Sequence, residues 1–261
     1  RFMKEAHSLY RSAGFEEIDE YPESEIPEQF RAHWIFMEKR LEGNTSMPIT
    51  SESPVGKPAK QRIAIALVFC LWLAYTVLQT LAVMQRLSEP VYTAIGFLPG
   101  ILGVCVLLGA GMSREECYLR IAPLSWKGFG VLAGVFVFAL AAILPSGVWR
   151  GWGWTAALVY APANGISQEL FFRSALMPAT LAAFKKRTTL ALILHSILFG
   201  LWHIGPLFLG TPAPIVAAIM LVPFLSGIGW GWQVRRDGTV VWAMIQHSLI
   251  WVVASPFAFG P

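Results

Sequence analysis

A glutamate and an arginine stand four residues apart in a long apolar stretch of the chain. They are Glu169 and Arg173 in SQELFFRSAL, residues 167–176, and the nearest charged residues are Arg150 before them and Lys185 after them. A spacing of four puts both side chains on one face of a helix, where they can pair. Ionisable groups at membrane depth are costly and usually face a bundle interior or a water-filled cavity. The pair therefore marks a candidate site, or else a self-neutralised ion pair that only fixes helix packing.

Two histidines lie at a depth comparable to that of the glutamate. Glu169 precedes Lys185 by 16 residues, and His203 follows Arg187 by 16 residues. At ~1.5 Å per residue, both side chains lie about 24 Å from the basic ends of their helices. His247 follows the next basic pair by 11 residues, which makes it roughly 16 Å deep. Three different helices can therefore bring these side chains together.

A carboxylate beside imidazole groups can activate water by general-base catalysis. We therefore predict that Glu169, His203 and His247 form a catalytic set. The same three side chains are also candidates to bind a divalent metal ion such as zinc with one open position, although the chain has no H-E-x-x-H helix to support this. Each histidine taken alone fits an interhelical hydrogen bond. His195, only about 12 Å deep, is assigned a structural or at most a supporting role.

The composition requires a membrane to hold these residues. Of the 261 residues, 55% are hydrophobic and 14% are charged, whereas a soluble domain carries roughly 25% charged residues. The mean hydropathy is +0.55. Seven apolar stretches follow, most of about 21 residues, a length that crosses a ~30 Å hydrocarbon core. The predicted spans are Ile63–Met84, Val91–Met112, Gly128–Val148, a fourth from Arg150 into the Glu169 segment and bent by Pro162 and Pro178, Thr188–Leu209, Pro214–Val234 and Val240–Phe259.

The placement of basic residues predicts the topology. With the N-terminus in the cytoplasm, eleven Lys and Arg residues fall in inside segments and two, Arg86 and Arg150, fall outside, as the positive-inside rule requires. Trp149, Trp152 and Trp154 form an expected aromatic belt at the outer end of the fourth span. The fold class is thus an all-α polytopic membrane protein with about seven transmembrane helices, N-terminus in and C-terminus out, preceded by a small α/β soluble remnant.

The first 42 residues differ from the rest. We predict a helix over FMKEAHSLYRSAGF that ends at Gly14, then strands in EEIDEY and HWIFMEKRL. SLYRSAGFEEI followed by WIFMEKRL resembles the C-terminal end of a GNAT-type N-acetyltransferase, which implies that Tyr10 is a general acid, or else a packing residue. The pyrophosphate-binding loop of that family is missing, so acetyl-CoA would be a partner only if a full-length N-terminal domain exists. Since the chain starts at Arg1, we expect it to be a fragment.

Residues 43–61 have linker composition, and residues 62–261 form the membrane domain.

Three short motifs resemble the CPBP family of intramembrane proteases, which includes the type II CAAX prenyl endopeptidases and the bacteriocin-processing and self-immunity proteins. They are QELFFR at residues 168–173, FGLWH at 199–203 and IQH ending at His247. The family pattern is E-E-x-x-x-R, then F-x-x-x-H, then a last-helix H-x-x-x-N. The resemblance covers about residues 63–258. It implies a site open to the cytoplasm within the bilayer, in which Glu169 and His203 activate water, His247 donates to the oxyanion and Arg173 orients Glu169.

Two positions depart from the family pattern. The first glutamate of the pair is Gln168, and an amide cannot take a proton, so the general base would have to be Glu169. The asparagine is replaced by Trp251, which removes one expected oxyanion donor unless the indole N–H points inward. Gln246 is expected to point elsewhere on the last helix.

Three functions are consistent with these residues. The first is an intramembrane endopeptidase of the bacterial cytoplasmic membrane that acts on membrane-associated protein or peptide substrates. The second is a protease-like protein, weakened or inactive in catalysis, that binds in immunity or as a scaffold. A proton-coupled transporter is weaker, because the spans show no inverted repeat. The lipid bilayer is the predicted partner, and nucleic acid is not.

Overall fold

The computed structural model describes residues 8, 10–13, 15–18, 36–38, 56–184 and 187–258. It divides the chain into two compact units, residues 1–53 and residues 54–261.

The N-terminal unit contains a small antiparallel hairpin. Strand β1 (Glu16–Ile18) pairs with β2 (Phe36–Glu38), with Glu17 opposite Met37. Residues 10–12 are helical. The helix and the two strands predicted here are confirmed where the residues are described, and the remainder of those segments lies outside the described residues.

Eight α-helices account for most of the described part of the membrane unit. They are α1 (Gly56–Val83), α2 (Glu89–Gly109), α3 (Trp126–Ile143), α4 (Ala161–Phe171), α5 (Met177–Phe184), α6 (Thr188–Leu201), α7 (Ala213–Asp237) and α8 (Val241–Ala254). A short ribbon pairs β3 (Val148–Trp149) with β4 (Phe257–Ala258). The predicted all-α polytopic membrane fold is confirmed.

Five segments among the described residues are long and apolar enough to cross a membrane, by length and composition. They are Ala59–Val83, Glu89–Gly109, Trp126–Ile143, Thr188–Leu209 and Ala213–Asp237. Each corresponds to one of the seven predicted spans. The other two predicted spans are the segmented helix that carries Glu169 and the shorter apolar helix α8, so the count of seven and the N-in, C-out orientation stay predictions.

The helix around Glu169 changes its hydrogen-bond pattern at each of its two prolines. The π-helical segments Ala156–Tyr160 and Phe172–Leu176 flank α4. In each segment the last i→i−5 bond is donated by the residue just before a proline, from Ala161 to Ala156 and from Met177 to Phe172. Proline has no N–H and clashes with the carbonyl four residues before it. A π turn accommodates this defect, and such turns often occur at functional sites.

Glycines let the helices approach closely around the same segment. A Cβ on Gly165 of α4 would lie 2.6 Å from the backbone nitrogen of Ser248 on α8, and one on Gly103 of α2 would lie 2.7 Å from the Cβ of Ala175. A Cβ on Gly200 of α6 would lie 2.8 Å from the Met220 carbonyl oxygen on α7. Small residues at helix crossings are the usual means of packing helices inside a bilayer.

The three tryptophans predicted as an aromatic belt lie next to the β3–β4 ribbon. Trp149, Trp152 and Trp154 are 57%, 48% and 67% exposed. The Trp152 ring packs on both of the others, at 6.4 and 6.0 Å between centroids. Exposed indoles gathered at one end of a membrane helix are typical of the lipid–water interface.

Candidate active site

Glu169 lies at the centre of a buried polar cluster that joins three helices. Its side chain is fully buried on α4. One carboxylate oxygen, Oε1, is 2.9 Å from Nδ1 of His247 on α8, and the other, Oε2, is 3.2 Å from Nε of Arg173. The four-residue spacing therefore forms the predicted ion pair, and His247 converges on it as predicted.

Arg173 is also fully buried, in the π segment that follows α4. Its Nη1 donates to Nε2 of His195 on α6 over 2.9 Å. Its Cζ lies 4.6 Å from the ring centroid of Phe199 and 5.4 Å from that of Trp230, at cation–π distance. Because a guanidinium can only donate, Nε2 of His195 must be the acceptor and carry no proton.

The contacts of His247 fix which of its nitrogens carries the proton. The indole N–H of Trp251, four residues on, donates to Nε2 of His247 over 3.1 Å. An indole N–H only donates, so Nε2 is the acceptor and Nδ1 holds the proton that is donated to Glu169. The Trp230 ring stacks on the imidazole, with 4.6 Å between centroids and 24° between planes. Both nitrogens of His247 are thus engaged within the protein.

His203 lies just beyond the last residue of α6 and is half-buried. Its Nδ1 lies 3.0 Å from the carbonyl oxygen of Phe199. Because a carbonyl only accepts, Nδ1 donates, and the lone pair of the neutral ring is on Nε2. The Phe199 ring packs against both histidines, 5.4 Å from His203 and 6.2 Å from His247 between centroids. Within the described residues no hydrogen bond joins His203 to Glu169.

Two glutamines flank the cluster in sequence and behave differently. Gln168 is 3% exposed, and its Oε1 has no hydrogen-bond partner among the described residues. Gln246 accepts from the Trp230 indole and donates to the Leu132 carbonyl oxygen. As expected, Gln246 is turned away from Glu169.

A metal site does not form at these positions. In the described part of the chain, no three or more His, Cys, Asp and Glu side chains gather so that they could hold a metal ion. Glu169 and His247 are bonded to each other, and the second nitrogen of His247 is bonded to Trp251. The residues present do not fit the zinc site considered from the sequence, so no reaction step is assigned to a metal.

The sequence reasoning missed part of the network. His195, given at most a supporting role, is the direct partner of Arg173. Trp230, which packs on both Arg173 and His247, was not singled out. The available signal was chemical: a buried guanidinium needs acceptors, and a histidine on the next helix can supply one.

A bundle of apolar helices with a carboxylate, an arginine and histidines buried among them defines an integral membrane protein with a buried polar cluster. Residues 149–253, which contain every member of that site, match the family model described as type II CAAX prenyl endopeptidase Rce1-like. The resemblance to CAAX-type intramembrane proteases is thereby confirmed for this segment. No curated protein and no solved structure gives a significant match to the chain. The acetyltransferase remnant, Tyr10 as its acid and acetyl-CoA as a partner are not confirmed and stay predictions.

Proposed function

We propose that the protein is an intramembrane endopeptidase that hydrolyses peptide bonds of membrane-associated proteins or peptides. The observation that carries the proposal is the fully buried Glu169, hydrogen-bonded to His247 and ion-paired with Arg173, inside the segment that matches the protease family. Its two oxygens contact an imidazole and a guanidinium, which hold the carboxylate in one orientation.

In the proposed reaction, His203 and Glu169 hold and activate the water. The unprotonated Nε2 of His203 is free to take a proton as the water oxygen attacks the carbonyl carbon. The peptide C–N bond then breaks, and the proton passes to the leaving amine. Arg173 orients Glu169 through the contact between its Nε and Oε2 of the carboxylate. Nε2 of His247 carries no proton while it accepts from Trp251. For His247 to donate to the oxyanion, the Trp251 indole must turn away and Nε2 must take up a proton from water, which makes His247 an imidazolium that stays paired with Glu169 through Nδ1.

We expect Glu169→Gln and His203→Ala each to abolish cleavage. The readout is quantitative proteomics of protein termini in membranes from cells that express wild type or either variant at equal levels. New termini present with wild type alone would identify both the activity and the substrate. Trp152→Phe, a change at an exposed interfacial residue, is the matched control and should leave those termini in place. If both site variants still generate them, the mechanism is wrong.

A second function, binding without cleavage in immunity or as a scaffold, is favoured by two observations. Gln168 replaces the first glutamate of the family pattern and has no proton to exchange. The Trp251 indole donates to Nε2 of His247, and the proposed hydrolysis needs that nitrogen to face the oxyanion. Under this alternative, a Glu169→Gln protein that reaches the wild-type level in the membrane leaves the cellular phenotype of the gene unchanged.

Trp251→Asn separates the two functions. Asparagine at this position restores the family pattern and releases Nε2 of His247, and a working oxyanion donor contributes about 10²–10³ in rate. We expect cleavage of the substrate found by terminal proteomics to rise by at least tenfold, measured as the initial rate with purified protein. Trp242→Phe is the control, because its indole donates to the Ala122 carbonyl oxygen, outside the site. An unchanged rate would favour the binding function.

We further propose that the site is reached from the cytoplasmic side of a bacterial membrane. The basis is the eleven-to-two distribution of basic residues across the predicted spans.

A further inference from the structure

Trp230 of α7 packs on the buried cluster, and no step of the proposed reaction uses it. Its side chain is 3% exposed. Its ring stacks on the His247 imidazole, with 4.6 Å between centroids and 24° between planes, and its centroid lies 5.4 Å from Cζ of Arg173. One indole therefore contacts both of the side chains that contact Glu169.

Glycines on both sides of Trp230 bring α7 close to its neighbours. A Cβ on Gly229 would lie 2.5 Å from Cγ2 of Val135 on α3, and one on Gly231 would lie 3.2 Å from Cδ2 of Leu192 on α6. Small residues at helix crossings allow this close approach. The backbone that carries Trp230 is therefore packed against α3 on one side and α6 on the other.

A chain of two hydrogen bonds orients the indole. The indole N–H donates to Oε1 of Gln246 on α8, and Nε2 of Gln246 donates to the Leu132 carbonyl oxygen on α3. An indole N–H only donates and a carbonyl only accepts, so this placement of the amide oxygen and nitrogen is the one that satisfies both partners. Gln246 therefore fixes the rotation of the Trp230 ring from the position next to His247.

His247 loses a contact at the step where its direction matters. While Trp251 donates to Nε2, the imidazole is held at both nitrogens. Once the Trp251 indole turns away, the hydrogen bond from Nδ1 to Glu169 remains. A single hydrogen bond holds one atom of the ring and leaves the plane of the ring free to tilt, so the direction of Nε2 needs a second restraint.

We propose that Trp230 is a positioning residue that holds the plane of the His247 imidazole, and that Gln246 acts by orienting Trp230. The stacked indole keeps Nε2 directed after Trp251 has turned away. The indole face also attracts the positive charge that the imidazole gains at that step, at cation–π distance. The contribution to catalysis rests on the proposed function, whereas the restraint of the imidazole by the indole does not.

Nuclear magnetic resonance of the full chain in phosphatidylcholine nanodiscs, with ring-labelled histidine, tests the restraint without a substrate. The chain has five histidines, and the signal lost in His247→Gln is that of His247. Protons above an indole face are shifted upfield by its ring current. We therefore expect the His247 ring signals to move downfield in Trp230→Leu and by a smaller amount in Trp230→Phe. Gln246→Met keeps the side-chain volume but removes the hydrogen bonds, and should also move them downfield.

Trp232→Leu is the matched control. Trp232 lies on the same helix two residues further on, is 37% exposed and contacts the Arg236 guanidinium instead of the cluster. This substitution should leave the His247 signals at their wild-type positions.

The catalytic contribution predicts a graded loss of kcat. With the substrate found by terminal proteomics, Trp230→Leu should lower kcat by about tenfold or more, the size of a desolvated cation–π contact. KM should stay unchanged, because the restraint acts in the transition state. Trp230→Phe should restore part of the rate, since a phenyl ring still offers an aromatic face, and Trp232→Leu should have the wild-type kcat.

His247 signals that stay in place in Trp230→Leu would overturn the restraint, whether or not the protein cleaves anything. If Trp230→Leu does not fold, Trp230→Phe and Gln246→Met decide the same question. Signals that move while kcat stays at the wild-type value would overturn the contribution to catalysis. A wild-type protein that cleaves no substrate would overturn the proposed function, and the signals would still show whether Trp230 restrains His247.

Discussion

Glu169→Gln is expected to lower the free energy of unfolding by about 3–5 kcal/mol, because it leaves the Arg173 guanidinium buried without its counterion. The amide oxygen can still accept from Nδ1 of His247, so the substitution removes the charge and keeps that hydrogen bond. His195 and the faces of Phe199 and Trp230 cannot replace a carboxylate. The measurement is reversible unfolding in mixed detergent micelles, followed by circular dichroism.

A double-mutant cycle isolates the charge effect. Arg173→Met alone should destabilise by a similar amount, since it leaves the carboxylate unpaired, whereas Glu169→Gln with Arg173→Met should cost clearly less than the sum. Glu115→Gln, at an exposed acid in the loop before α3, should change stability by no more than about 0.5 kcal/mol. Additive single and double variants would show that the two side chains are not coupled.

Gly165→Ala is expected to remove both stability and cleavage. The new methyl group would overlap the Ser248 backbone, with 2.6 Å to its nitrogen and 2.8 Å to its Cα, and backbone atoms cannot rotate away. Overpacking of this kind costs about 1–3 kcal/mol. Because Ser248 follows His247, separating α4 from α8 also pulls the imidazole off Glu169. Thermal unfolding and the terminal-proteomics assay measure the two effects.

Gly134→Ala is the matched substitution, because it lies on α3 with nothing within 4 Å of the added Cβ. It should leave cleavage unchanged and stabilise slightly, since alanine favours a helix over glycine by up to about 1 kcal/mol. A Gly165→Ala protein that unfolds at the wild-type temperature would contradict the close crossing of α4 and α8.

Much of the fold was predictable because hydropathy shows which stretches are apolar and long enough to cross a membrane. Hydropathy locates the first and last residues of a helix less well. Helix α1 begins at Gly56, seven residues before the predicted span, because the polar residues before Ile63 also favour a helix. The segment predicted as one span over Thr188–Leu209 breaks after Leu201 into a 3₁₀ turn, where Gly205 and Pro206 disfavour an α-helix.

The site was predictable in membership more than in contacts. Counting residues along upright helices predicts how deep each side chain lies in the membrane, and it correctly placed Glu169 and His247 at compatible depths. The count does not predict the direction in which a side chain leaves its helix. It therefore could not show that His247, and not His203, contacts the carboxylate. It also ranked His195 too shallow, because π turns beside Pro162 and Pro178 change the rise and phase of the helix that carries Arg173.

The chain of contacts from Trp251 through His247, Glu169 and Arg173 to His195 has a consequence for proton conduction. The proton donor on the His247 side is the Trp251 indole N–H, which has no lone pair to accept a proton. The donor on the other side of Glu169 is the Arg173 guanidinium, which does not release a proton at physiological pH. Neither group can relay a proton to the carboxylate. While the Trp251–His247 and Arg173–Glu169 contacts hold, His247 is the one residue of this chain of contacts that can exchange a proton with Glu169.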